Sequence, residues 1–424
     1  MGACRRSVGG IHPYYAGLLE TLTTFDPAFF LLADEDVQAM DPQALLVLEE
    51  CLKLWYHAGY RHEEIKGQAI GIYLGGRSQH QPGDARLREA RNPIVAVGQN
   101  YLAANLSHFF DVRGPSVVVD TACSSALVGL NMAIQALRSG EIEAAVVGGV
   151  SVLPTEATHR LFQQRGLLCK TDAFHLFDER ADGIVLGEGV GMVLVKTVRQ
   201  AQQDGDSIYA VIKATAVNND GRTAGPATPN LQAQKEVMQT ALARSGKRAE
   251  EISYVEANGS GSMVTDLIEL KAIQAVYGGC GMRSLGLGSI KPNIGHPLCA
   301  EGIASLIKVV LMLQQRQQVP FLSGEQEMRH FDREAAQMTF SRTLTDWTAV
   351  PAVAAINSFA DGGTNVHVIL EGWEEERERT VRRHPLPPPT LQKRALTIPV
   401  TPKPEMQGPA TDKANIWDTY EVEI

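Results

Sequence analysis

Cys123 stands at the end of the run Val119-Asp120-Thr121-Ala122-Cys123-Ser124-Ser125. A β-branched stretch, Ser116 to Val119, stops at Asp120, and a segment with Leu127, Leu130, Ile134 and Leu137 on one helical face follows from Ser124 to Arg138. A cysteine at such a strand–helix junction meets the unpaired N–H groups and the positive dipole end of the helix, which favour thiolate over thiol. Thiolate character and a backbone donor for a developing oxyanion are what acyl transfer through a thioester requires. A buried, inert cysteine fits the same geometry, so position alone leaves both roles open. His296 and Cys299 have the spacing of half a metal site, but no second half accompanies them, and a structural zinc needs four ligands. No metal is expected.

The elements that must position Cys123 alternate in type. Helical spacing runs from Pro42 to Tyr60 and from Val97 to Phe109; strands are expected at Ala69–Leu74, Ala144–Val147 (closed by Gly148-Gly149) and Val190–Val195. A second round begins at Ala210–Ala216. It continues with helix Asn230–Arg244, strand Ile252–Ala257, helix Thr265–Val276, strand Leu285–Ile290, helix Cys299–Gln314 and strands Val353–Asn357 and Val366–Leu370. This order predicts an α/β protein with covered sheets, in two similar halves meeting near residue 200.

Several motifs share one resemblance. Asp120 to Ser125, Gly148-Gly149, Phe177 to Gly183 with Gly187-Glu188-Gly189, Lys291 to His296 and Asn357 to Asn365 resemble, in order and spacing, the ketosynthase domains of modular polyketide synthases. The resemblance covers about residues 20–372 and implies a thiolase-like fold, with two pseudo-equivalent halves in a five-layered αβαβα arrangement, usually homodimeric. It implies no bound cofactor, since the acyl chain arrives on the phosphopantetheine of an acyl carrier protein. By motif, Cys123 is the nucleophile, His296 and Lys291 are catalytic, and the backbone N–H groups of Cys123 and Asp361 form the oxyanion hole. Phe359, Thr364 and Asn365 of the same motif are expected to bind substrate.

One departure bears on the reaction. Elongating ketosynthases carry a second histidine in His-Gly-Thr-Gly-Thr; here the frame reads Glu256-Ala257-Asn258-Gly259-Ser260-Gly261-Ser262, then Asp266 and Glu269. An asparagine amide donates a hydrogen bond but exchanges no proton near neutral pH. Losing one donor to an enolate costs ~100- to 1,000-fold. Condensation is therefore expected to be crippled while acyl loading survives, as in the non-elongating ketosynthases of assembly lines whose acyltransferases act in trans. Pro292 and Pro297 depart from the usual residues as well, so Asn258→His alone is not expected to restore elongation. Two alternatives stand: a condensing enzyme with an atypical site, and an idle scaffold, against which Cys123 itself argues.

The 424 residues carry a formal charge of −9 and no basic stripe, which argues against a nucleic-acid partner. The longest apolar runs are too short for a bilayer, and nothing apolar follows Arg5 and Arg6 to make an export signal. The six cysteines lack regular spacing and read as reduced cytoplasmic thiols. Residues 1–372 are expected to form the ketosynthase-like domain, with the family's first apolar strand missing before Phe25: either the protein is naturally truncated or split, with a neighbouring synthase polypeptide supplying or docking that region, or the sequence is incomplete there. Residues 373–424 read as a linker and acidic tail: a charge run at Glu374–Arg379, a proline-rich extended segment from Pro385 to Pro409, and Trp417 and Tyr420 in either a frayed end or a docking segment.

Overall fold

The computed structural model describes residues 4–6, 14–19, 24–373 other than 79, 172, 226 and 280–283, and 381–395. Its first half holds a four-stranded sheet in the order Ser116–Val119, Ile70–Gly75, Ala144–Ser151, Gly189–Val195. The first three strands are parallel and the last antiparallel. Its second half repeats the plan with six strands: Met338–Phe340, Leu285–Gly288, Tyr254–Glu256 and Val353–Phe359 run parallel, and Thr364–Gly372 and Ala210–Asn219 close the sheet antiparallel. Parallel neighbours need long crossovers, which is why helices alternate with strands along the chain.

Three apolar clusters stack these elements into five layers. Helices Pro42–His57 and Tyr101–Phe110 cover the outer face of the first sheet through Val47, Leu48, Leu102 and Leu106. Helices Leu231–Ser245 and Met263–Tyr277 cover the second through Val237, Met238, Leu270 and Ile273. Between the sheets lie Ser125–Ser139 and Glu301–Gln315, whose Leu127, Leu130, Ile303 and Leu306 meet Tyr73 and Val147 on one side and Ile356, Val366 and Val368 on the other. Counted from the turn before it, Leu298–Gln315 is long and apolar enough in composition to cross a membrane. It is longer than the apolar run read from the sequence, and its apolar face is taken up by the two sheets.

The strand from Ala144 runs on to Ser151, past the Gly148-Gly149 pair that the sequence suggested would end it. A Cβ on Gly149 would stand 3.0 Å from the Ala300 Cα and from the Cys299 carbonyl. The glycine is therefore a close approach, and it lets the Cys299–Glu301 backbone sit against the sheet. Gly302 does the same for the crossing of the two central helices, where a Cβ would meet Leu127 Cγ at 2.6 Å.

At the front, Cys4–Arg6 pairs antiparallel with Tyr14–Gly17, which in turn pairs with Leu186–Gly187. At the back, residues 381–395 lie across the first half in extended form. Leu386 donates to the Tyr56 carbonyl, Arg383 stacks over the Tyr60 ring, and Arg394–Ala395 pairs with Thr24–Phe25. The Glu374–Arg379 run and the tail with Trp417 and Tyr420 lie outside the described residues.

Candidate active site

The turn into the Ser125–Ser139 helix presents Cys123 through a strained residue. Ala122 has φ +55°, a left-handed conformation that costs a side-chain-bearing residue about 1–2 kcal/mol. The turn is held by Ala122 N–H on Asp120 Oδ1 at 3.1 Å and Thr121 N–H on Ser125 Oγ at 3.0 Å, with Asp120 in a two-pronged pair with Arg77. Ser124 is the N-cap, so Cys123 lies one residue outside the helix. The expected thiolate preference meets a larger opposing effect. Burial pushes the Cys123 thiol up to about 12, with the Glu301 carboxylate adding to the rise; Lys291 and the Asp361 peptide N–H work against it. At rest Cys123 is a thiol.

His296 faces it, with Nε2 3.3 Å from Cys123 Sγ. The histidine backbone is clamped by its neighbours in the Gly183–Gly189 motif: His296 N–H donates to the Val185 carbonyl at 2.7 Å, and Gly187 N–H to the His296 carbonyl at 2.9 Å. Leu298, held at φ +43°, donates its N–H to His296 Nδ1 at 3.1 Å. Nδ1 is thus an acceptor, and the ring proton sits on Nε2, facing the sulfur. Burial, and secondarily the charge of Lys291, holds the imidazole well below its usual pKa and so neutral.

Lys291 and Glu301 form an ion pair with Nζ and Oε2 3.0 Å apart, both side chains only 1% exposed. Burial pushes Glu301 up to about 7 against the pull of Lys291. Its Oε2 is also 3.6 Å from His296 Nε2, and its Oε1 is 3.4 Å from Ser358 Oγ. Cys123, His296 and Glu301 thus bring three potential ligand atoms within 4.8 Å of one another. They suit a cation poorly: with Nδ1 accepting from Leu298, a metal on Nε2 would require an imidazolate, and Lys291 already offsets the carboxylate.

Asn258 joins this group through its oxygen. Oδ1 accepts from Phe359 N–H at 3.2 Å and from Lys291 Nζ at 3.3 Å, which fixes the amide orientation; Nδ2 has no hydrogen-bond partner among the described residues. Glu269 holds the Asn258 and Gly259 N–H groups at 2.7 and 2.8 Å and accepts from Asn357 Nδ2 at 2.9 Å.

Five of the eight residues expected from sequence therefore converge: Cys123, His296, Lys291 and Asn258 by side chain, and Asp361 by its peptide. Phe359 contributes its N–H through Asn258. Thr364 is half-buried and uses its carbonyl to accept from Ala360 N–H at 3.1 Å. The Asn365 amide is directed elsewhere, donating to Asn218 Oδ1 at 3.2 Å on the neighbouring strand and to Asp220 Oδ1 at 2.7 Å just beyond its end. Glu301, Ala122 and the Leu298 N–H were not singled out by sequence reasoning. Glu301 opens a helix, where an acidic residue has an ordinary dipole role, and backbone angles leave little trace in residue types.

Known proteins share both halves of this arrangement. Residues 4–201 match the family model for the beta-ketoacyl synthase N-terminal domain, and residues 209–325 that for the C-terminal domain. The polyketide synthase PksL of Bacillus subtilis is 66% identical over 93% of this chain, and the spectinabilin polyketide synthase system protein NorC of Streptomyces orinoci 35% over 92%. The chain spans only 9% and 17% of the lengths of those relatives. Among solved structures, the oxazolomycin ketosynthase domain OzmH KS8 of Streptomyces albus JA3453 superposes with a TM-score of 0.77 at 52% identity, covering 89% of this chain and 91% of that one. The ketosynthase from module 6 of the bacillaene synthase of Bacillus subtilis gives 0.79 at 32% identity, covering 85% and 65%. The chain belongs to the beta-ketoacyl synthase family, as a polyketide synthase-type ketosynthase domain of thiolase-like fold.

Proposed function

We propose that this domain is a non-elongating ketosynthase: it accepts an acyl chain from one acyl carrier protein on Cys123 and passes it to another without adding carbons. The observation that carries the reading is the pairing of an intact loading site, Cys123 against His296 at 3.3 Å, with Asn258 in place of the second histidine.

In loading, the Cys123 sulfur attacks the thioester carbonyl of the phosphopantetheine-bound acyl group. The oxyanion takes the N–H groups of Cys123 and Asp361, and the Nε2–H of His296 stabilises negative charge developing on sulfur. The carbon–sulfur bond to the carrier breaks, and the Cys123 thiol proton ends on the departing phosphopantetheine sulfur. Off-loading reverses these steps onto a second carrier. No cofactor enters either step.

Condensation asks for more, because the enolate left by decarboxylation of a malonyl extender needs two imidazole donors. Here one side of that pair is an amide whose oxygen is held by Phe359 and Lys291. Lys291 orients Asn258 and Glu301 rather than meeting substrate, and Phe359 and Thr364 flank the acyl path. A second reading, slow condensation with Asn258 Nδ2 as the second donor, is favoured by that nitrogen's lack of a partner among the described residues.

The setting proposed is a cytoplasmic assembly line with acyltransferases acting in trans, and the domain works as a homodimer. The outer edge of Ser116–Val119, at the end of its sheet with Val117 and Val118 half-buried, supports pairing with a second copy. Residues 1–372 would be the catalytic unit and 373–424 its linker and tail. Intact-protein mass spectrometry after incubation with an acyl thioester surrogate and a malonyl-loaded carrier tests the reaction: an acyl adduct lost in Cys123→Ala supports it, and chain-extended product at the rate of an ordinary ketosynthase overturns it.

A further inference from the structure

The turn Ala360–Gly363 carries the Asp361 peptide expected to complete the oxyanion hole, at the end of a strand that reaches Cys123, where Ser358 Oγ lies 3.5 Å from the Cys123 carbonyl. Both ends of the hairpin are tied down. Phe359 N–H holds Asn258 Oδ1 at 3.2 Å, and the Gly363 and Gly362 carbonyls accept from Asp220 N–H at 2.9 Å and Asn219 Nδ2 at 3.3 Å. Gly362 and Gly363 follow Asp361 at φ +97° and +83°, a left-handed turn that glycine adopts readily. The Gly363 N–H closes the turn on the Ala360 carbonyl at 2.9 Å, and the Asp361 carboxylate adds a second tie, 2.8 Å from Arg165 Nη1 and 196 residues away in sequence.

Arg165 does not hang from a free loop. It follows the helix Ala157–Gln164, and the next residues are laced to the strand that grips His296: Ile184 N–H donates to the Leu167 carbonyl at 2.7 Å and Cys169 N–H to the Ile184 carbonyl at 3.0 Å. His296 is clamped one residue further on, by Val185. The oxyanion hairpin and the histidine are therefore referenced to the same backbone, one through a side-chain ion pair and the other through peptide hydrogen bonds.

We infer that Arg165 is a positioning residue for acyl transfer: its grip on the Asp361 carboxylate holds the Asp361 N–H in register over Cys123. The inference rests on the proposed loading of Cys123. Both partners are partly exposed, 40% and 47% by side chain, so the pair can be removed without opening the core.

The test compares two reactions of the same sulfur in the full chain. Acylation by a thioester surrogate builds an oxyanion; alkylation by iodoacetamide does not. Arg165→Ala should slow acylation measurably, by up to the about fivefold that an exposed ion pair can hold, well short of the ~100-fold that follows complete loss of an oxyanion donor. Alkylation should be unchanged. Arg165→Lys should recover part of the acylation rate. Salt at 1 M, where the Debye length is about 3 Å, should slow the wild type toward the alanine variant and leave that variant unmoved. Unchanged acylation in Arg165→Ala, or an equal fall in acylation and alkylation, would overturn the inference. A wild-type chain that takes no acyl group at all overturns the loading reaction itself, and this inference with it.

Discussion

Leu298 donates its backbone N–H to Nδ1 of His296 at 3.1 Å, and that one bond decides which face of the imidazole meets Cys123. A neutral histidine has a single ring proton, so an acceptor Nδ1 leaves Nε2–H as the donor in the site. His296 is thereby a hydrogen-bond donor to sulfur or oxygen rather than a base for the Cys123 thiol. Nitrogen-15 NMR of labelled protein should find His296 as the Nε2–H tautomer, still neutral at pH 6 because burial holds its pKa well below the usual value. An Nδ1–H tautomer, or an imidazolium at that pH, would contradict this assignment.

Cys123 should behave as a thiol at neutral pH. Burial raises the Cys123 pKa to about 12. For an acid with a raised pKa, the reactive thiolate grows with every step of pH below that value. Iodoacetamide alkylation of Cys123 should therefore rise by about tenfold per pH unit across pH 6–9, with no plateau. A plateau near pH 7 would show a thiolate stabilised far beyond what burial allows.

Lys291 and Glu301 hold each other in the site. Lys291→Met leaves a buried carboxylate unpaired and should lower stability by about 3–5 kcal/mol in urea unfolding. Adding Glu301→Gln removes the uncompensated charge and should restore most of the loss. If the single variant loses less than about 1 kcal/mol, the size of an exposed pair, the ion pair is not what organises this corner.

Much of the architecture was legible from residue pattern. The strand Ser116–Val119 and the helix after Cys123 form where β-branching and a leucine stripe placed them. The helix expected from Val97 starts at Tyr101, because Pro93–Ala96 winds as a tighter turn before it. Gly148 and Gly149 misled, since a glycine pair reads as a turn and its use for close backbone approach depends on a segment 150 residues further on. In the site, Cys123, His296 and Asn258 were visible because their motifs are local. Glu301 and Arg165 were not: the one looks like a helix-start carboxylate, the other like a surface charge, and only the fold brings them to Lys291 and Asp361. Asn365 shows the reverse, a motif residue whose amide serves the sheet.

Asn258 is the position on which the proposed reaction turns. Its Oδ1 accepts the Phe359 N–H that an imidazole Nδ1 in its place could also accept, which would leave a second Nε2–H in the site. Asn258→His should thus raise decarboxylation of a malonyl-loaded carrier, without bringing chain extension to the rate of an ordinary ketosynthase, because Pro292 and Pro297 also shape the turns on either side of His296. Release of carbon dioxide from the variant equal to that of the wild type would mean that the missing imidazole is not the limiting group.

The most direct measurement is intact-protein mass spectrometry of the wild-type chain, given an acyl thioester surrogate first and a malonyl-loaded carrier second, beside an elongating ketosynthase under the same conditions. The expected result is a single acyl adduct on Cys123, transferable to an unloaded carrier, with extended product at least ~100-fold below the control. Extended product at the control's rate would contradict the account.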